Sequence, residues 1–183
     1  ANDVAGLALI NTLVATRGAA LSWLFVEWGV KGKPSMLGTV SGVVAGLVAI
    51  TPAAGFVGPM GGLVLGIVGG AVSFFFCTTV KNAFGYDDSA DVFGVHGIAG
   101  IIGSIGTGIF VSTSLGGVGV AGYAMADQVW KQFVAVAVAI VWCGVMSAII
   151  FKVIDLVVGL RVRPEEEREG LDITEHGERA YTS

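Results

Sequence analysis

Charge is what this sequence has least of. Lys, Arg, Asp and Glu make up 13% of its 183 residues, against about 25% in an ordinary soluble domain. None of the four occurs from Met36 to Val80 or from Val92 to Ala126. Stretches so long and so uniformly uncharged exclude surface helices with a polar face and point to bilayer spans. Cysteine is scarce too. Cys77 and Cys143 lie in separate apolar segments, which excludes a disulfide framework and a cysteine-based metal centre and leaves both as packing residues. No basic patch is present, so nucleic acid is not an expected partner, and the polar residues suggest no cofactor, no metal and no enzyme chemistry. The opening, ANDVAGLALI, lacks an initiator Met and a basic stretch, which argues against a signal peptide.

What the sequence has in abundance is apolar surface and glycine: 54% hydrophobic residues, mean hydropathy +0.82 and 29 glycines. Five apolar segments, 4–26, 36–55, 61–80, 92–111 and 129–158, each approach or exceed the roughly 20 residues a helix needs to cross a bilayer. The fold class expected is an all-α integral membrane protein with five transmembrane helices. The organisation expected is a helical membrane domain over residues 1–160 and a soluble tail over 161–183. Between the second and third segments TPAAGFVGP breaks an uncharged run with two prolines and two glycines. Gly42/Gly46 and Gly62/Gly66/Gly70 recur at four-residue spacing, the pattern of closely crossing helices. The last segment, at roughly 45 Å, exceeds a core of about 30 Å and must tilt or protrude.

Lys and Arg gather in the connections of one side. With the C-terminus cytoplasmic, Lys31, Lys33, Lys81, Lys152, Arg161, Arg163, Arg168 and Arg179 fall inside and only Lys131 outside. The N-terminus is then external. Arg17 stands apart inside the first segment, free to snorkel, to line water or to meet another subunit.

Few polar side chains remain to carry chemistry. His96 lies in a glycine-rich run; with the fourth helix starting near Asp88 or Ser89, it would sit about 12 Å deep. An ionisable group there marks a functional position or a histidine held by one carbonyl. Gly94, Gly97, Gly100, Gly103 and Gly106 form a smooth, slowly drifting stripe around it. Gly94 and Gly97 leave room for a second side chain or a small solute. Asp88 and Asp91 are placed to serve the helix start, where carboxylates accept from free N–H groups and complement the dipole. Ser41 and Thr51 can line a path or bond back to their own helix. In the tail, Pro164 and three glutamates predict a short helix with Gly170 as its stop.

The stretches DDSADVFGVHGIAGIIG, GIF…SLGGVG and GLRVRPEEEREGLD…HGERAY, preceded by SWLFVEW and KGKPSMLGTVSGVVAGLVAITPAAGFVGP, resemble the Amt/Mep/Rh ammonium transporters, specifically the C-terminal half of a bacterial Amt protein. The resemblance implies an eleven-helix protomer of two inverted halves and a long last helix, of which this chain carries the last five helices. It implies a homotrimer with one hydrophobic pore per protomer, in the bacterial inner membrane. His96 matches one of two pore histidines, its partner belonging to the N-terminal half. Ammonium would be recruited outside and pass as NH3, with or without a separately relayed proton, and Thr51 and Ser41 are further candidates for the pore. The tail, with Arg161, Gly170 and Asp172, would be regulatory and meet a PII-type signalling protein at the cytoplasmic face. The alternative is an ammonium sensor that signals through the tail.

Overall fold

A computed structural model describes residues 2–179. Among them the regular structure is helical, and the chain divides into two compact units, residues 1–137 and 138–183. Five apolar helices are present: α1 (Asp3–Lys31), α2 (Met36–Ile50), α3 (Pro59–Phe84), α4 (Phe93–Phe110) and α5 (Met125–Val157). Four are long and apolar enough to cross a membrane, and α2, at 15 residues, is shorter. The expected twenty-residue second segment is therefore not one continuous α-helix. Pro52 restricts the residue before it and cannot donate to the helix ladder, so the chain leaves α2 through consecutive turns. In these turns Ala53 N–H donates to the Ile50 carbonyl at 2.9 Å and Val57 N–H to that of Ala53 at 3.1 Å.

In the first unit α1 is clasped by α2 and α3 along its Ala15–Ala19 face. A Cβ on Gly42 would lie 3.0 Å from the Ala19 carbonyl oxygen, and one on Gly46 2.9 Å from that of Ala15. On the other side a Cβ on Gly66 would lie 2.1 Å from the Ala15 oxygen and one on Gly70 2.5 Å from that of Ala19. The four-residue glycine spacing is thus close backbone packing. Without water, van der Waals contact of this kind is what holds helices together.

Chain reversals are tied by the few polar groups. Gly32, at φ 74°, ends α1, and Ser35 caps α2 by accepting from Gly38 N–H at 2.9 Å. Asn11, fully buried, donates through Nδ2 to the carbonyls of Ala54 at 2.8 Å and Val57 at 2.7 Å, anchoring the uncharged turn after α2 to α1.

In the second unit the C-terminal part of α5 exposes Cys143, which removes it from the packing role expected for it. Two short helices follow, α6 (Pro164–Glu169) and α7 (Leu171–Thr174). Gly170, at φ 109°, ends α6, and its N–H donates to the Glu166 carbonyl.

Candidate functional site at the start of the fourth helix

Two widened turns face each other across α3 and α4. Both are π-helical, at Phe76–Val80 and at Phe93–Ile98, and such turns often mark functional positions. They meet because Gly94 lacks a side chain: a Cβ there would lie 2.4 Å from Cys77 Sγ and 3.2 Å from its backbone nitrogen. The rings of Phe76 and Phe93 meet edge-on at 6.2 Å beside this contact. One turn further, Val95 and Ala99 join a buried cluster with Trp23, Ala45, Ala49, Phe74 and Cys77.

His96 sits within the second widened turn. It is exposed on the surface of this chain, and its imidazole makes no hydrogen bond to another described residue. Residues facing α3 and α2 flank it, so the ring projects from the packed side toward whatever lies beyond this unit. Helical structure starts at Val92, four residues before His96, whereas a start near Asp88 or Ser89 was expected. Gly94 lies against Cys77, seven residues before the end of α3 at Phe84, which is about 10 Å along the axis.

The acidic residues before α4 divide their work. Asp88 accepts from Val92 N–H at 2.8 Å and from Phe93 N–H at 2.9 Å, satisfying two free donors of the helix start. The Asp91 carboxylate accepts instead from Lys81 Nζ, near the end of α3, and that ammonium also donates to the Asp88 carbonyl at 3.0 Å. Asp91 holds a left-handed backbone, φ 55°, a conformation Asp tolerates better than most residues. Together they pin the entry of the His96 helix to α3.

The glycine stripe serves several neighbours. A Cβ on Gly103 would lie 2.0 Å from the Ala49 carbonyl oxygen, and one on Gly106 2.2 Å from Leu65 Cδ2. Gly94 is filled by Cys77 and Gly97 by the ring of Phe93, 3.2 Å from its would-be Cβ. Gly100, one turn beyond His96, meets only Val48 at 3.8 Å. Along the stripe an added atom is least crowded at Gly100, whereas Gly94 and Gly97, where room was expected, face Cys77 and the Phe93 ring.

Ser41 and Thr51 are not brought to His96 by any contact among the described residues. Ser41 Oγ donates to the Leu37 carbonyl at 3.1 Å and Thr51 Oγ1 to that of Leu47 at 2.6 Å. Ten residues of helix and turn separate them, about 15 Å, so the level of His96, marked on α2 by Ala45 and Ala49, falls between the two. In the tail, Arg161 pairs with Glu167 at 2.8 Å. Arg163 N–H donates to Glu166 Oε2 at 3.0 Å and its guanidinium pairs with the same carboxylate. That guanidinium holds the Glu166 carboxyl below its usual range. The Asp172 carbonyl accepts from Glu178 N–H at 2.8 Å. The closing Ala180 and Tyr181 of the tail motif lie outside the described residues.

One polar cluster had no place in the expectations. Glu27, 3% exposed, accepts from Ser35 N–H at 3.1 Å, from the Ser35 hydroxyl and from Lys31 Nζ at 3.1 Å. A Cβ on Gly38 would lie 2.2 Å from Glu27 Oε2 and 2.8 Å from Trp23 Nε1. The signal available was the serine cap three residues before Gly38, next to the lone acid of that helix end.

The comparisons bear on the whole chain. The model of the Ammonium Transporter Family matches residues 1–181. An ammonium transporter of Bacillus subtilis (strain 168) is 49% identical over 182 residues, covering 98% of this chain and 45% of that protein. One of Aquifex aeolicus (strain VF5) is 48% identical, covering 99% and 43%. Among solved structures, one described as a sensor Amt protein superposes with a TM-score of 0.87 at 28% identity, covering 96% of this chain and 43% of that one. Saccharomyces cerevisiae Mep2 superposes at 0.79 and 30% identity, covering 90% and 39%. The chain spans less than half the length of these relatives.

Proposed function

The chain belongs to the ammonium transporter family, and from that premise we propose that it forms the C-terminal half of an ammonium-conducting pore in which His96 is the imidazole that this half contributes. The observation that carries the proposal is an exposed imidazole on a pinned, widened turn that makes no hydrogen bond to another described residue, with only Val48 within contact distance of Gly100 one turn on. Moving an ammonium ion through apolar surroundings costs several kcal/mol even after relaxation. Giving up its proton removes most of that cost. A neutral imidazole offers one donor and one acceptor, so it can hold NH3, pair with a second histidine from the N-terminal half, or pass a proton along. K+ has no proton to release, which supplies selectivity.

Asp88, Asp91 and Lys81 act in this scheme as positioning residues, since they fix where the His96 turn begins. Thr51 and Ser41 belong to the pore walls above and below the imidazole. We place the protein in the bacterial inner membrane, with the N-terminus of this chain external and the C-terminus cytoplasmic, as the distribution of Lys and Arg supports. Assembly is as a homotrimer. The tail around Arg161, Gly170 and Asp172 is the region that a PII-type signalling protein would meet.

The test is uptake of methylammonium by the full-length transporter carrying His96→Ala. Uptake is expected to fall about a hundredfold, the scale of a lost proton-handling group, with insertion and assembly unchanged. Undiminished uptake by an assembled variant overturns the assignment. Ammonium binding without any flux in the unaltered protein would move the function to the sensor alternative.

A further inference from the structure

Arg17 takes no part in the pore scheme and makes no hydrogen bond or ion pair with another described residue. It lies fourteen residues from each end of α1, Asp3–Lys31, about 21 Å along the axis either way. That is mid-span, about 15 Å from either edge of a core about 30 Å thick and too deep for the side chain to reach even one, and a guanidinium in hydrocarbon is expensive on any scale. Yet it is exposed on this chain. Its face of α1 is turned away from the buried face of Asn11, Ala15, Ala19, Trp23 and Glu27.

The neighbours on that outer face are large and apolar. Ile10, Leu13, Leu21, Phe25 and Trp28 are 51%, 45%, 55%, 60% and 53% exposed, and with Arg17 they follow the three- and four-residue spacing of a single helical ridge. An apolar seam interrupted once, at its centre, by a charged residue is the pattern by which packed helices fix register and partner. The charge requires an acceptor at the same depth.

This chain cannot supply one to a second copy of itself. Among the described residues of the spans, Asp3, Asp127 and Asp155 lie near helix ends, Glu27 is taken by Ser35 and Lys31, and Asp91 by Lys81. More than half the length of the relatives lies outside the matched region. We propose that the outer ridge of α1 is the seam for a transmembrane helix of the transporter from outside this chain, and that this helix places a carboxylate opposite Arg17 that sets its register. The seam is independent of ammonia conduction, so the two proposals fail separately.

The experiment uses the full-length transporter in bilayers, with Cys77→Ala, Cys143→Ala and every other native cysteine replaced. Nitroxide labels are placed at Leu13→Cys or Leu21→Cys, leaving Arg17 intact. Both labels are expected to be shielded from lipid-soluble oxygen and from an aqueous nickel complex alike. High oxygen accessibility, meaning lipid, or high nickel accessibility, meaning a water-filled cavity, overturns the seam. Introducing Arg17→Glu, which sets like charges against each other, is expected to raise oxygen accessibility at both labels severalfold, whereas Arg17→Lys leaves them shielded. A seam that stays closed with Arg17→Glu overturns the carboxylate.

Discussion

Asn11 and His96 begin alike, each a polar side chain within a largely apolar helix, and end in opposite conditions. Asn11 is fully buried, and its amide holds the turn after α2 by two short hydrogen bonds to Ala54 and Val57. His96 is exposed and unbonded among the described residues, while the backbone around it is packed and pinned. A polar group that satisfies its neighbours is structural. One that its own fold leaves unsatisfied, on a scaffold built to hold it still, is available to something else.

The widest separation between the two should come from replacing each by Leu in the full-length transporter and measuring thermal unfolding. Asn11→Leu orphans two carbonyls in apolar surroundings, at about 1–3 kcal/mol each, and should lower the midpoint by many degrees. His96→Leu should leave it nearly unchanged. Equal destabilisation by the two would erase the distinction drawn here and make His96 a packing residue.

A smaller effect tests whether the scaffold beside His96 is as uneven as its glycines suggest. Gly103→Ala drives a methyl to 2.0 Å from the Ala49 oxygen, and overpacking of this kind costs about 1–3 kcal/mol. Gly100→Ala meets only Val48 at 3.8 Å and should be neutral to stability or stabilising by up to about 1 kcal/mol through helix propensity. It should still slow uptake if solute passes there. Stability losses of the same size at both positions would show the stripe to be uniformly filled.

The smallest effect lies in the tail, outside the apolar spans. Because Arg163 lowers the Glu166 carboxyl from its ordinary 4.5, the pair's contribution to α6 is fully present above that value. It is lost as the pH falls through the folded-state pKa. Amide hydrogen exchange of residues 164–169 should therefore be constant from pH 7 to about 5, after correction for its intrinsic pH dependence, and lose protection only in more acid solution. Arg163→Ala should move that loss to higher pH. A pH-independent helix would show that the pair contributes nothing there.

Read from the residues alone, the apolar segments, the four-residue glycine packing and the short tail helix were legible, since each depends on composition and spacing within one stretch of chain. The end of α2 was only partly so: Pro52 was visible as a breaker, but not that the chain would leave the helix by turns held from Asn11, 43 and 46 residues away. The start of α4 was misplaced by several residues because two needs compete for the same carboxylates. Helix N–H groups take Asp88, and Lys81, brought over by the α3–α4 reversal, takes Asp91. Glu27 was missed since its hydrogen-bond partner Ser35 lies across a chain reversal.

By itself the sequence determined that this chain belongs in a membrane. Removing charge from such long runs leaves no other place where helices of that length gain by burial. It also determined which few residues could matter. Tertiary structure decided what each one does, because satisfaction of a polar group is a property of its surroundings. The same apolar setting buries Asn11 against two carbonyls, and leaves His96 and Arg17 exposed with no hydrogen bond to another described residue.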